Sequence, residues 1–173
     1  MKILIVDDKA EERYLLETLL KGSGYEVVSV TNGAEALERL RSQAFDMVIS
    51  DILMPVMDGF RFCQELRVDK KLKDIPFVFY TATYTDEKDE ELALKMGADW
   101  FIRKPIEPEE FTKIIKGVIK KIEVSEKRGR PVFEEEKEVL KLYSERLVKK
   151  LEKRNLELQR LEQRYRTLCE NIK

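Results

Sequence analysis

Met47-Val48-Ile49-Ser50-Asp51 is a short apolar run with β-branched residues that closes on a carboxylate. Three other strand-like runs close on residues that carry chemistry: 2–7 (KILIVD) on Asp7-Asp8, 75–81 (IPFVFYT) on Thr81, and 99–103 (DWFIR) on Lys104-Pro105. If these are parallel strands of one sheet, their carboxyl ends gather three carboxylates, a hydroxyl and an ammonium into one crevice. Open α/β sheets place their sites there.

Working outward, residues 1–124 repeat one unit: an apolar run, a turn, then about ten residues with helical spacing. A fifth strand is expected at 25–30, and helices at 10–21, 34–42, 59–69, 87–96 and 108–122. Five strands alternating with five helices describe an α/β fold, a doubly wound parallel sheet covered on both faces and joined by right-handed crossovers. Gly22, Gly33, Gly59 and Gly97 fall at the helix boundaries, where caps and turns favour glycine.

At 173 residues the chain holds one ordinary domain and a remainder too short for a second large core. Charged residues make up 39%, above the usual quarter, which suggests a long solvated helix. No stretch approaches the roughly 20 apolar residues needed to cross a bilayer, and the N-terminus reaches Asp7-Asp8 too early for a signal peptide. A cytoplasmic protein without membrane contact is expected. There is no histidine, and Cys63 and Cys169 lie far apart without CxxC spacing. A structural zinc site and histidine-dependent catalysis are therefore not expected.

Residues 125–173 hold 14 Lys/Arg against 10 Asp/Glu, leaving 19 against 24 for residues 1–124. The tail's charges alternate in sign rather than cluster, which favours a solvated helix over nucleic-acid binding. A Gly129 and Pro131 segment at 125–133 reads as a hinge, and 134–173 as one long helix. Its stripe runs Leu140, Tyr143, Leu147, Leu151, Leu158, Leu161, Tyr165, Leu168, Ile172, interrupted by Arg154. Such spacings describe a coiled-coil seam, with a stutter between Leu147 and Leu151. The stripe could fold back on the first domain, or pair in a homodimer, which is the expected outcome. In a parallel in-register dimer, the two copies of Cys169 would crosslink readily.

Three converging carboxylates repel one another, so at neutral pH they hold a proton or a cation. Mg²⁺ satisfies them well, because it prefers oxygen ligands and keeps waters that a phosphate can displace. On this reading Asp8 and Asp51 ligate the metal, Asp7 does so directly or through water, and the Leu53 carbonyl completes the protein's share. Asp51 is then the nucleophile toward a phosphoryl group, forming an acyl phosphate. Lys104 supplies a point charge, and the Thr81 hydroxyl and Ala82 amide supply hydrogen bonds. Singly, each residue has a plainer role as an N-cap, a β-branched packing residue or a surface charge. Chance would scatter them over both ends of the strands, and five fall at the carboxyl ends of four.

With ILIVDD at 3–8, D-I-L-M-P-V-M-D-G at 51–59, Thr81-Ala82, G-A-D at 97–99 and Lys104-Pro105, residues 1–122 resemble the receiver domains of two-component response regulators. The resemblance implies a flavodoxin-like sheet of order 2-1-3-4-5. It implies that Asp51 takes a phosphoryl group from a partner histidine kinase or phosphotransfer protein, or from a small phosphodonor, with Mg²⁺ bound. It also implies a cis Lys104–Pro105 peptide, a Thr81 that moves on phosphorylation and an aromatic at Phe101 that turns inward behind it.

The ending Y-R-x-L-x-E-N-I at 165–172 resembles the start of a PAS domain. That suggests a fragment of a longer protein whose long helix carries a signal to a downstream output; a natural C-terminal dimerisation helix is the alternative. No helix-turn-helix pattern follows residue 124. Two other functions compete with a phosphorylation-controlled switch. One is a receiver-like scaffold that is never phosphorylated, and the other a small-substrate phosphotransferase, for which the DxDxT nucleophile motif is missing.

Overall fold

The computed structural model of the chain describes residues 1–83, 87–125 and 136–170, with side chains left out at 122–140, 142, 143, 146, 147, 150, 169 and 170. It divides into two compact units, Met1–Phe133 and Glu134–Lys173. The hinge expected at 125–133 lies outside the described residues except for Ser125, as do the side chain of Cys169 and the last residues of the PAS-like ending.

In the first unit, strands β1 (Lys2–Val6), β2 (Glu26–Val30), β3 (Met47–Ser50), β4 (Phe77–Thr81) and β5 (Trp100–Arg103) alternate with helices α1 (Ala10–Gly22), α2 (Gly33–Ser42), α3 (Gly59–Val68), α4 (Glu87–Lys95) and α5 (Pro108–Ser125). The strands form one sheet, ordered β2-β1-β3-β4-β5 and parallel throughout. All five strands lie within a residue or two of the runs that mark them in the sequence.

β1, β3 and β4 are central, and the composition says why. Ile3, Leu4, Ile5, Val6, Met47, Val48, Ile49, Phe77, Val78 and Phe79 are continuous apolar runs without alternation, and all are buried, the mark of a strand covered on both faces. On one face Ile3, Ile5, Ile49 and Tyr80 pack against Leu16 and Leu20 of α1 and Phe111 and Ile115 of α5. On the other, Phe60 and Phe62 of α3 meet Phe79 and Phe77 edge-on, with ring centroids 5.3 and 5.2 Å apart. Each such buried side chain contributes roughly 1.5–3 kcal/mol through removal from water.

Two polar devices fix the ends of these elements. Asn32 caps α2 by accepting from the amides of Ala34 and Glu35, and Asp58 caps α3 by accepting from Arg61 N at 2.8 Å. Either satisfies donors that a helix start leaves open. Arg67, near the end of α3, is the larger fastening. Its guanidinium donates to the carbonyls of Gly97, Lys73 and Ile75 and pairs with Asp99 Oδ2 at 2.9 Å. Asp99 Oδ2 also accepts from Phe77 N.

The second unit contains α6 (Glu136–Glu170), a helix of 35 residues. Val148, Leu151, Leu158, Leu161, Tyr165 and Leu168 are exposed along it. No helix of the described residues is long and apolar enough to cross a membrane.

Candidate functional site

Parallel pairing brings the ends of β1 and β3 side by side, with Val6 opposite Ser50. Asp51 N donates to Val6 O at 2.8 Å, which sets Asp51 beside the end of β1, while on the other side of β1 Asp7 N donates to Val30 O of β2 at 3.2 Å. Carboxylate oxygens of Asp7, Asp8 and Asp51 all lie within 4.8 Å of one another. Asp7 and Asp51 are buried and Asp8 is exposed. The donors are hard oxygens, two held in the protein and one facing solvent, a set that suits Mg²⁺.

Gly59 lets α3 approach this corner. A Cβ there would overlap the carbonyl oxygen of Asp51 and come 2.9 Å from Ile52 Cα. With no side chain in the way, Gly59 N donates to Ile52 O at 2.8 Å, which ties the start of α3 to the end of β3. The loop between them is strained at Val56, a β-branched residue at φ 67°, in the left-handed region that such residues avoid. The Asp51 carboxylate is oriented by its own chain, since Ile52 N donates to Oδ1 at 2.7 Å.

Lys104 reaches the corner from the end of β5. Its ammonium pairs with Asp7 Oδ2 at 2.8 Å and lies 3.4 Å from Glu12 Oε2. Asp7 Oδ1 accepts from Lys9 N at 2.9 Å, and the Asp7 carbonyl accepts from Arg13 at 2.7 Å. The Lys104–Pro105 peptide is cis.

Burial pushes the Asp51 carboxyl above its ordinary value and Asp7 adds to the shift, while Lys104, the Thr81 hydroxyl and the Ile52 amide oppose it. For Lys104, burial alone would lower the pKa; the hydrogen bond to Asp7 and the charges of Asp51, Asp7 and Glu12 outweigh it, and the pKa rises. The ammonium is thereby kept charged inside the protein.

The remaining sequence candidates sit around this core. Thr81 is buried at the end of β4, and its Oγ1 accepts from Thr83 N at 3.3 Å. Ala82 and Thr83 follow, exposed. Leu53, on the loop after Asp51, is 37% exposed. Phe101 is buried on β5, its ring 6.4 Å from that of Phe79.

Sequence reasoning did not single out Glu12 or Tyr80, whose ring centroid lies 4.7 Å from Lys104 Nζ. It placed Gly59 at a helix boundary and in the 51–59 block, with no close approach to Asp51. An Asp-Gly pair before a helical run is an N-cap signal, and the cap was legible; the close approach to Asp51 was not.

The family described as "Response regulator receiver domain" matches residues 3–116. The chain is 39% identical over 122 residues to the probable transcriptional regulator ycf27 of Porphyridium aerugineum, covering 70% of this chain and 49% of that protein. To the alkaline phosphatase synthesis transcriptional regulatory protein PhoP of Bacillus subtilis it is 34% identical over 124 residues, covering 72% of this chain and 50% of that one. The chain thus spans about half the length of the curated relatives it matches.

Among solved structures, the receiver domain of a signal transduction histidine kinase from Syntrophus aciditrophicus matches with TM-score 0.64 and 33% identity, over 76% of this chain and 96% of that one. The receiver domain of the sensor histidine kinase PA1611 from Pseudomonas aeruginosa, described with a magnesium ion coordinated in its active-site cleft, matches with TM-score 0.62 and 28% identity, over 69% of this chain and 97% of that one. A match of this extent, on a sheet of this order with acidic residues at these strand ends, makes the chain a member of the response regulator receiver family, the receiver domain of a two-component response regulator.

Proposed function

We propose that Asp51 is the phosphoacceptor of a phosphorylation-controlled switch, and that Asp7, Asp8 and Asp51, with the Leu53 carbonyl, hold Mg²⁺ beside it. The observation that carries this reading is the convergence of three carboxylates with a buried ammonium at the carboxyl ends of β1, β3 and β5. Bound there, Mg²⁺ would supply positive charge that favours the ionised form of Asp51 and offsets the charge of an incoming phosphoryl group.

In the transfer, an Asp51 carboxylate oxygen forms a bond to phosphorus as the donor's P–N or P–O bond breaks, and the electron pair leaves with the donor group. The product is an acyl phosphate. Asp51 is ionised when it attacks, so no separate general base is required. Ile52 N holds the carboxylate in place, Lys104 presents a charge to a phosphoryl oxygen, and Thr81 with the Ala82 amide accommodates another. The donor is the phospho-histidine of a histidine kinase or phosphotransfer protein. This chain catalyses no other reaction on this reading.

The readout runs through Thr81 and Phe101, since a hydroxyl drawn toward new negative charge leaves space that an aromatic fills. Further along, α6 carries the state to a downstream domain of a longer cytoplasmic protein, PAS-like at its start, as a homodimer joined through α6. The exposed row Leu151, Leu158, Leu161, Tyr165 and Leu168 supports the pairing, because a coiled-coil seam of this spacing is buried by a second helix. The transcriptional roles named for ycf27 and PhoP belong to proteins of about twice the matched length.

Intact mass after incubation with acetyl phosphate and Mg²⁺, beside an Asp51→Asn control, tests the switch. One added phosphoryl group that is missing from the control is expected. No addition, together with no Mg²⁺ binding, would leave a dimerising scaffold as the better account. Sedimentation of the full chain tests the dimer, and a monomer at micromolar concentration would remove it.

A further inference from the structure

Lys104 is held from three sides. Its Nζ lies 2.8 Å from Asp7 Oδ2, 3.4 Å from Glu12 Oε2 and 4.7 Å from the centroid of the Tyr80 ring. Glu12 stands in the first turn of α1. Tyr80 precedes Thr81 on β4, buried and packed on Phe111 with ring centroids 5.0 Å apart.

The three partners differ in what a second cation does to them. Asp7 is a carboxylate of the metal set, so a divalent ion drawn to it weakens its hold on the ammonium. The Tyr80 ring attracts a cation through its quadrupole, carries no net charge and is no ligand for Mg²⁺. Because the ring is buried, that attraction is poorly screened by water. Glu12 stands outside the cluster of Asp7, Asp8 and Asp51; its side chain is one-third exposed, so it adds a weaker, screened attraction.

We infer that the Tyr80 ring and Glu12 are positioning residues for Lys104, a seat for its ammonium that persists when Asp7 turns to a divalent cation. The lysine then stays beside Asp51 rather than escaping to solvent while a phosphoryl group arrives. The inference rests on the metal reading of the corner proposed above.

Proton NMR of the full chain tests it directly, because the Tyr80 ring shifts the ε-methylene protons of Lys104 upfield; Lys104→Met assigns the signal. In wild type and in Tyr80→Phe, which keeps the ring, the upfield shift is expected to persist at saturating Mg²⁺. In Tyr80→Leu, which fills the core without a ring, it is expected to be absent. Phosphorylation by acetyl phosphate at saturating Mg²⁺ should slow by about 3- to 10-fold in Tyr80→Leu and by about 2-fold in Glu12→Gln. Tyr80→Phe should behave as wild type, and the Mg²⁺ affinity of Tyr80→Leu should change by less than about 2-fold.

If Mg²⁺ shifts the resonances of Asp7 and Asp51 while the ring shift of Lys104 disappears in wild type, the seat is overturned and the metal site stands. Equal rates in wild type and Tyr80→Leu would also overturn it. If no resonance of Asp7, Asp8 or Asp51 responds to millimolar Mg²⁺, the metal reading falls and takes this inference with it.

Discussion

Gly59 brings the first turn of α3 against the backbone of Asp51, so closely that a methyl group at position 59 would occupy the space of the Asp51 carbonyl oxygen. Backbone cannot yield as the tip of a flexible side chain can. Gly59→Ala is expected to destabilise the fold by at least about 2 kcal/mol. Gly117, in α5 with nothing within 4 Å of its missing Cβ, is the contrast. There Gly117→Ala should stabilise by roughly 0.5–1 kcal/mol, the ordinary helix-interior difference. Urea unfolding of both variants checks the pair.

Asp51 makes the protein's stability depend on pH in a definite direction. Its pKa is raised in the folded state, chiefly by burial, so the folded protein binds this proton more tightly than the unfolded chain. From the ordinary value of 3.8 upward, its contribution therefore falls as pH rises through the folded pKa, then levels off. Asp51→Asn cannot ionise and escapes that loss. It should be more stable than wild type at neutral pH in metal-free buffer, and the advantage should shrink as pH falls through the raised folded pKa and be gone by about 3.8.

Arg67 serves three carbonyls and the Asp99 carboxylate at once. A lysine offers a point charge in place of a planar fork, so Arg67→Lys should leave several of these acceptors unpaired. A loss of about 3 kcal/mol is expected in thermal unfolding, close to that of Arg67→Ala.

Leu53 offers no hydrogen bond to a water attacking an acyl phosphate on Asp51. Leu53→Asn introduces one on a half-exposed side chain. The lifetime of the phosphorylated form should shorten by at least about threefold, read from the decay of intact mass after the phosphodonor is removed. An unchanged lifetime would sink the idea that position 53 sets this rate.

Cys63 is fully buried, donates weakly to Met96 O, and burial pushes its thiol up to about 12. In a Cys169→Ser background, the native protein should take up no iodoacetamide at about pH 8 and a single adduct once unfolded. Native labelling would show that the α3 face opens far more often than its packing suggests.

The strands and helices were legible because each central strand is an unbroken apolar run and each ends in a residue of different chemistry. Asp7, Asp8, Asp51, Thr81 and Lys104 could be placed together because a parallel sheet puts all its carboxyl ends on one edge. What lay outside reach were contacts between residues distant in sequence. Nothing local marks Arg67 as the partner of Asp99, 32 residues on, and nothing in Ile75–Thr81 marks Tyr80 as the surface on which a lysine rests. An alternating pattern would have assigned the faces of β4, but this strand is apolar on both.

The Arg67–Asp99 fastening sits at the amino ends of β4 and β5, where Asp99 N also donates to Phe77 O and Phe77 N to the Asp99 carboxylate. Thr81 and Arg103 stand at the opposite ends of those strands, each residue along the way adding about 3.3 Å. The two strands are thus tied to each other at the edge of the sheet remote from Asp51. The register of β4 against β5 is therefore set apart from the residues that carry the chemistry, and substitutions at Asp51, Thr81 or Lys104 should leave that anchorage intact.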